Sequence, residues 1–156
     1  MADIYDSQTY QPRKGVGHLL NRVRTEILAA VDRELAADEQ LGPLEVSSAQ
    51  FIILATLGLG VTNSASGLCK GISYDAGAMT RMIDRLEDKG LLRRSRCPDD
   101  RRQVNLELTD AGMAAFPRMR EISMNVLNRF LRGFTRIEVR QLEEFLARML
   151  ENAPGE

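Results

Sequence analysis

The chain has 156 residues, of which 44% are hydrophobic and 28% charged, and its formal net charge is −1. These values are typical of a single soluble globular domain. No run approaches the roughly 20 apolar residues needed to cross a bilayer, and the start of the chain lacks the apolar core of a signal peptide. We therefore expect a cytoplasmic protein.

The residues that carry most enzymatic and metal chemistry are scarce. Two cysteines, Cys69 and Cys97, lie far apart in sequence, and His18 is the single histidine. These residues are too few for a typical zinc site and leave only one histidine for a catalytic triad. The sequence also has no glycine-rich phosphate loop and no nucleophile motif. We expect no enzyme activity, no metal and no cofactor.

The charge is unevenly distributed along the chain. From Lys70 to Arg102 nine basic and six acidic residues give +3, which leaves −4 for the remainder. One basic segment on an acidic body is typical of a DNA-binding protein.

The first half of the chain predicts three helices after a loose arm formed by residues 1–12. Apolar residues at helical spacing from Val16 predict a long first helix, which Gly42 and Pro43 end. Ser47–Gln50 has the pattern of a capping box and precedes a short apolar helix. Another short helix is predicted over 64–70.

A fourth helix is predicted from Ser73, as its N-cap, to Lys89, with Gly90 as its stop. Its apolar residues lie three, one and three positions apart, as expected for the inner stripe of an amphipathic helix. The stripe comprises Met79, Met82, Ile83 and Leu86.

The rest of the chain predicts two strands, 91–96 and 104–108, joined by a tight connection rich in proline and aspartate. A long helix follows from Thr109 to about Arg132, with a kink expected at Pro117. A second capping box at Thr135 opens a last helix whose buried side we expect to comprise Ile137, Leu142, Phe145, Leu146 and Met149. This order predicts a mainly α protein with a small β-hairpin wing, a winged helix-turn-helix.

Two segments carry a resemblance to a known family. Residues 75–91 (DAGAMTRMIDRLEDKGL) closely resemble the recognition helix of the MarR family, the multiple-antibiotic-resistance regulators. Residues 98–112 (PDDRRQVNLELTDAG) resemble that family's wing and the start of its next helix.

The resemblance implies one domain over 1–156, with dimerisation helices at about 13–40 and 109–153 around a DNA-binding region at about 44–108. It also implies a homodimer that represses transcription at a pseudo-palindromic DNA operator. A small phenolic or aromatic carboxylate effector would release that homodimer.

The recognition helix would lie in the major groove, with its N-terminal side chains at base edges. Gly77 and Ala78 would allow close approach, Arg81 would read guanine, and Arg85 would grip phosphate. Arg102 would enter the minor groove from the wing, oriented by Asp100. The full set of expected DNA-binding residues is Ser73, Asp75, Gly77, Ala78, Thr80, Arg81, Arg85, Arg94, Arg96, Asp100, Arg101 and Arg102.

An effector site is expected by analogy in the crevice between the dimerisation helices and the winged region. His18 and Arg22 would meet a carboxylate there, although a surface histidine and a structural ion pair explain the same residues. Apolar walls would come from Phe51, Phe116 and Met119.

Two other interpretations stay open. Redox-sensing relatives carry a cysteine near the N-terminus or late in the recognition helix, where this chain has Asp88. A redox switch would therefore have to use Cys69 or Cys97. A dimeric interaction module that does not bind DNA is the other alternative, and the presence of Arg81 and Arg85 argues against it.

Overall fold

The computed structural model describes residues 3–6, 8–72, 74–96 and 104–153. Within them the chain forms a mainly helical fold with one antiparallel hairpin, which agrees with the predicted class. The elements are α1 (Val16–Ala37), a 3-10 turn (Gly42–Leu44), α2 (Ser48–Gly58), α3 (Ala65–Gly71), α4 (Ala76–Asp88), β1 (Leu92–Arg96), β2 (Val104–Leu108), α5 (Asp110–Phe130) and α6 (Arg136–Glu151).

Both predicted capping boxes are confirmed. The Ser47 hydroxyl accepts from the Gln50 amide while the Gln50 side chain accepts from the Ser47 amide, and Thr135 and Glu138 make the same reciprocal pair. Each box satisfies amides at a helix start that lack an intrahelical partner. These pairs fix where α2 and α6 begin.

The hydrophobic core lies where α2 and α4 meet the hairpin and α5. Its fully buried side chains include Ile53 and Leu54 of α2 and Leu92 of β1. Leu106 of β2 and Val126 of α5 complete the same cluster. This continuous core holds α4 and the hairpin against the rest of the chain.

The hairpin is anchored at both of its sides. The Leu106 amide donates to the Asn63 carbonyl oxygen at 2.7 Å, just before α3. On the other side, a Cβ at Gly112 would lie 2.0 Å from the Leu91 carbonyl oxygen. Only glycine permits this approach of α5 to the residue before β1, so Gly112 lets the base of the hairpin pack closely against α5.

The predicted burial of α6 is wrong for the isolated chain, since α6 has no buried residue. Phe145 is 56% exposed and Ile137 is 72% exposed. Leu142 and Met149 are also exposed, and Leu146 is half-buried. The helical pattern was interpreted correctly, but none of the described helices or strands covers this face of α6.

The first helix, α1, is buried in its second half and exposed near its start. Its second half packs into the core through Val31 and Leu35, whereas Leu19 and Val23 are exposed near its start.

α5 is continuous across Pro117. None of the helices in the described ranges is long and apolar enough to span a membrane.

Candidate nucleic-acid interface

Helix α4 has one apolar face and one polar face. Met79, Ile83 and Leu86 are buried in the core, and Met82 is half-buried beside them. This confirms the predicted inner stripe. Because that stripe is held by the core, the opposite face of α4 points to solvent.

The start of α4 differs from the prediction. Asp75 is the N-cap, and its Oδ1 accepts from the Ala78 amide at 2.8 Å. The expectation that Ser73 caps this helix is therefore wrong, and Ser73 itself lies outside the described residues. A carboxylate here also favours the positive end of the helix dipole.

The outer face of α4 carries Gly77, Thr80, Arg81 and Arg85, all exposed, while Ala78 is half-buried. A Cβ at Gly77 would lie 3.5 Å from Nη1 of Arg81. That distance is ordinary van der Waals contact, so the Arg81 guanidinium lies directly beside Gly77 in the first turn of α4.

Thr80 makes a hydrogen bond within α4. Its hydroxyl donates to the Ala76 carbonyl oxygen at 2.8 Å. The methyl group and an acceptor oxygen remain on the exposed face. Either can meet a base edge or a neighbouring donor.

Helix α3 packs against α4 and is itself fixed at its start. The Ser64 hydroxyl accepts from the Gly67 amide at 3.1 Å and caps α3. A Cβ at Gly67 would lie 2.1 Å from the Thr62 hydroxyl oxygen, so this close approach requires glycine. The α3–turn–α4 unit is thus a helix-turn-helix with a fixed first helix.

One arginine of the hairpin, Arg93, forms an ion pair across the two strands. Arg93 of β1 lies directly opposite Glu107 of β2, with Nη2 and Oε2 3.0 Å apart. The Ser95 hydroxyl donates to the other Glu107 oxygen at 2.7 Å. The Ser95 and Arg93 hydrogen bonds lower the pKa of Glu107 below its ordinary value. Arg96 is exposed at the end of β1.

Arg94 points to α4. Its Nη2 lies 2.6 Å from Oδ1 of Asp84, and its Nη1 pairs with Glu87. These hydrogen bonds, first that to Asp84, raise the pKa of Arg94 above its ordinary value. The guanidinium that the sequence assigned to phosphate is therefore engaged inside the domain.

The tip of the predicted wing is not part of the described residues. Asp100, Arg101 and Arg102 all fall in this stretch, as does Cys97. Their proposed roles rest on the sequence alone.

An apolar cavity of about 380 Å³ lies between α2 and α5. Phe51 and Phe116 line it with ring centroids 6.5 Å apart. Its polar lining consists of Arg120, Ser123 and Asn128. Arg120 has no ion-pair partner in the described part of the chain, so this cavity combines aromatic walls with an available cation.

The other expected effector residues lie elsewhere. Met119 is fully buried in the core, and it does not line the cavity. His18 is half-buried and Arg22 exposed on α1, four residues apart as expected, but neither reaches this cavity. The sequence analysis missed Arg120, whose only signal was its position four residues after Phe116 on the same helix.

Cys69 of α3 is a half-buried free thiol packed against the core. Nothing around it in the described structure singles it out as reactive. The described structure thus gives the redox alternative no added support at Cys69, and Cys97 lies outside the described residues.

The chain is similar to known regulators in sequence and in structure. A family model described as the MarR family matches residues 46–104, which span α2, α3, α4 and β1. The multiple antibiotic resistance protein MarR of Escherichia coli (strain K12) is 32% identical over 134 residues, which cover 85% of this chain and 87% of that protein.

Two solved structures have a similar fold over most of this chain. A cysteine-to-serine mutant of E. coli MarR complexed with operator DNA is 29% identical, with a TM-score of 0.74 over 86% of this chain and 93% of that chain. Bordetella bronchiseptica BpsR, whose DNA binding is regulated by 6-hydroxynicotinic acid, is 26% identical, with a TM-score of 0.75 over 93% and 99% of the two chains. The extent of these matches shows that the chain belongs to the MarR family, whose members are transcription regulators and not enzymes.

Proposed function

We propose that the protein is a repressor that binds a pseudo-palindromic operator as a homodimer and is released by a small aromatic acid. The observation that carries this proposal is the exposed face of α4, where Gly77, Thr80, Arg81 and Arg85 lie together at the surface. A helix that presents small residues and an arginine fork near its start has the chemistry needed to read a major groove.

Each DNA-facing residue has a distinct part in the proposed complex. Arg81 reads guanine, Thr80 meets a thymine methyl or a phosphate, and Arg85 binds phosphate one turn later. Gly77 and Ala78 let the helix approach the groove floor. Asp75 positions the helix start through its cap and makes no DNA contact of its own.

The wing completes the proposed complex. Arg102 enters the minor groove with Asp100 orienting its guanidinium, and Arg96 and Arg101 bind phosphate. Arg94 is left out of these phosphate contacts because its guanidinium is already paired with Asp84 and Glu87.

The homodimer is supported by the apolar surface that the single chain leaves uncovered. Leu142, Phe145 and Met149 lie at helical spacing on α6 and are all exposed, as are Leu19 and Val23 of α1. Exposed apolar stripes of this kind mark interaction surfaces. A second copy of the chain covers them in the proposed dimer and so holds two α4 helices apart.

The effector is an aromatic carboxylic acid bound in the cavity between α2 and α5. Phe51 and Phe116 supply the walls for a ring, and Arg120 supplies a fork for a carboxylate. The similarity to BpsR, which responds to 6-hydroxynicotinic acid, supports this ligand class. Arg120 replaces His18 and Arg22 as the proposed carboxylate partner.

Release from DNA by such an acid is tested by fluorescence anisotropy on a labelled duplex selected from a random-sequence pool. The compounds are 6-hydroxynicotinic acid, benzoic acid and the uncharged 6-hydroxynicotinamide. We expect the acids to lower DNA affinity and the amide to act far more weakly, because an effector that prefers the free dimer must weaken DNA binding.

Variants locate the effector site. We expect Arg120→Gln to bind DNA normally and lose the response to acid, whereas the matched control Arg132→Gln keeps it. An acid response that survives in Arg120→Gln but is lost in His18→Ala or Arg22→Ala would move the site to α1. Release by peroxide alone, abolished by Cys69→Ser or Cys97→Ser, would replace the ligand mechanism with a redox switch.

A further inference from the structure

We propose that Arg94 is a positioning residue that fixes the wing against the recognition helix α4 by bridging the carboxylates of Asp84 and Glu87. The inference deepens the proposed function and rests on it, since it assigns the geometry of DNA reading to a residue that does not touch DNA.

The bridge uses both arms of the guanidinium and the main chain. Nη2 of Arg94 lies 2.6 Å from Oδ1 of Asp84, and Nη1 pairs with Oε2 of Glu87. The Arg94 amide donates to the other Glu87 oxygen at 3.3 Å. Asp84 and Glu87 are three residues apart, so they are neighbours on one face of α4. Three contacts therefore join one point of β1 to one turn of the helix.

The strand pattern explains why Arg94 reaches α4. Side chains two apart on a strand share a face, and Leu92 of β1 is buried in the core beside α4. Arg94 continues that face to the edge of the core. Arg93 points to the opposite face and pairs with Glu107 within the hairpin, so only Arg94 links hairpin and helix among the described arginines of β1.

Arginine suits this bridge better than lysine. The guanidinium is a planar fork that can donate to two acceptors at once, whereas an ammonium is a point charge on a flexible stem. The side chains are about one-third to one-half exposed, so each pair by itself adds little stability. The bridge instead sets an angle, because β1 leads into the wing and the angle between β1 and α4 determines how the wing meets the minor groove when α4 lies in the major groove.

The bridge also offsets charge that would oppose DNA binding. Asp84 and Glu87 lie on the helix that approaches the phosphates, and like charges there would repel. Arg94 of β1 offsets these two negative charges through its ion pairs with Asp84 and Glu87. A guanidinium committed in this way is not available to a phosphate.

The test measures DNA affinity against salt concentration for a selected duplex and for a scrambled duplex. Each phosphate contact contributes about 0.9 to the slope of log affinity against log salt, so loss of one contact per subunit lowers the slope of a dimer by about 1.8. The variants are Arg94→Lys, which keeps the charge, and the triple variant Asp84→Asn/Glu87→Gln/Arg94→Gln, which removes bridge and charges together. Arg85→Gln is the comparator for a phosphate contact, and Arg93→Gln is the matched control on the same strand.

We expect both bridge variants to lose about tenfold in affinity for the selected duplex, similar to one mismatched base pair, and little for the scrambled one. Their salt slopes stay at the wild-type value. Arg85→Gln lowers the slope on both duplexes, and Arg93→Gln changes neither affinity nor slope. Circular dichroism and the thermal unfolding midpoint show that each variant is folded; should the triple variant fail to fold, Arg94→Lys carries the same comparison.

Two results would overturn the inference. If Arg94→Lys binds like wild type while the triple variant loses about 1.8 in slope, Arg94 is a phosphate contact. If both bridge variants retain wild-type preference for the selected duplex, the bridge does not position the wing. A wild-type protein without salt-sensitive DNA binding would instead refute the proposed function, so the two failures are distinguishable.

Discussion

Lys89, the C-cap of α4, donates from Nζ to the main-chain oxygens of Leu44 and Glu45 at 2.6 and 2.9 Å. These carbonyls belong to the segment that joins α1 to α2. Glu45 holds a left-handed conformation with φ of 49°, rare for a residue with a side chain. The end of α4 is thereby tied to the α1–α2 connection through main-chain oxygens and not through a carboxylate.

The first prediction concerns this tie. Lys89→Met keeps the apolar stem but removes both hydrogen bonds, so we expect the free energy of unfolding to fall by about 1 to 2 kcal/mol. Urea denaturation, monitored by circular dichroism, measures the free energy of unfolding. The control is Lys70→Met, which changes an exposed lysine of α3. Its free energy of unfolding should stay near the wild-type value. Equal effects of the two substitutions would refute the tie.

The second prediction concerns acid. The Arg118 hydrogen bond and the amides of Leu41 and Gln40 hold the pKa of Asp38 below its ordinary value of 3.8. Because the folded pKa is lowered, this stabilisation is present above the ordinary value and is lost as pH falls through the folded pKa.

We therefore expect the stability difference between wild type and Asp38→Asn to be largest near neutrality and to shrink as the pH falls from about 5 to 2. Denaturant unfolding at a series of pH values measures it. Parallel curves for the two proteins over that range would contradict the assignment.

The local signals in the sequence predicted most of the fold. Ser47 and Thr135 each begin a helix because a capping box needs only four consecutive residues to form. Gly90 follows α4 with φ of 68°, the conformation that glycine favours. Such features depend on neighbours in sequence, and they were predicted correctly.

The failures all involve contacts distant in sequence or choices between equal candidates. Asp75 and Ser73 are both good N-caps, and only the chain path before α4 decides between them. The α6 stripe around Phe145 is a correct helical pattern, but a pattern does not say which molecule covers it. Arg94 and Arg120 could be assigned only after β1 and α5 were placed beside their neighbours.

The third prediction concerns the dimer. Phe145→Asp puts a charge on the exposed stripe of α6, and burial of an unpaired charge in an interface is strongly unfavourable. We expect the mass in solution to fall from twice 17.5 kDa to that of a single chain as the protein is diluted.

Light scattering coupled to size exclusion measures the mass. Val61→Asp changes an apolar residue that is even more exposed than Phe145 and lies outside α1 and α6, and this variant should stay dimeric. A wild-type protein that runs as a monomer at all concentrations would rule out the dimer.

The fourth prediction separates two arginines by what they read. Arg81→Ala should relax base preference at one position of each half-site and cost roughly 1 to 3 kcal/mol on the best site. Arg102→Ala should weaken binding most where the flanks are rich in A·T pairs, since a narrow minor groove attracts arginine. Affinities over a panel of duplexes measure both effects. Equal losses on every duplex would show that neither residue reads sequence.

In the proposed complex, two α4 helices read one symmetric DNA site. Selection of bound duplexes from a random pool by the wild-type protein, followed by sequencing, tests this directly. We predict an enriched pseudo-palindrome whose half-sites lie about one helical turn (roughly 10 base pairs) apart, bound with an affinity that falls steeply as salt rises. A pool without an enriched symmetric site, or binding that does not change with salt, would contradict the claim.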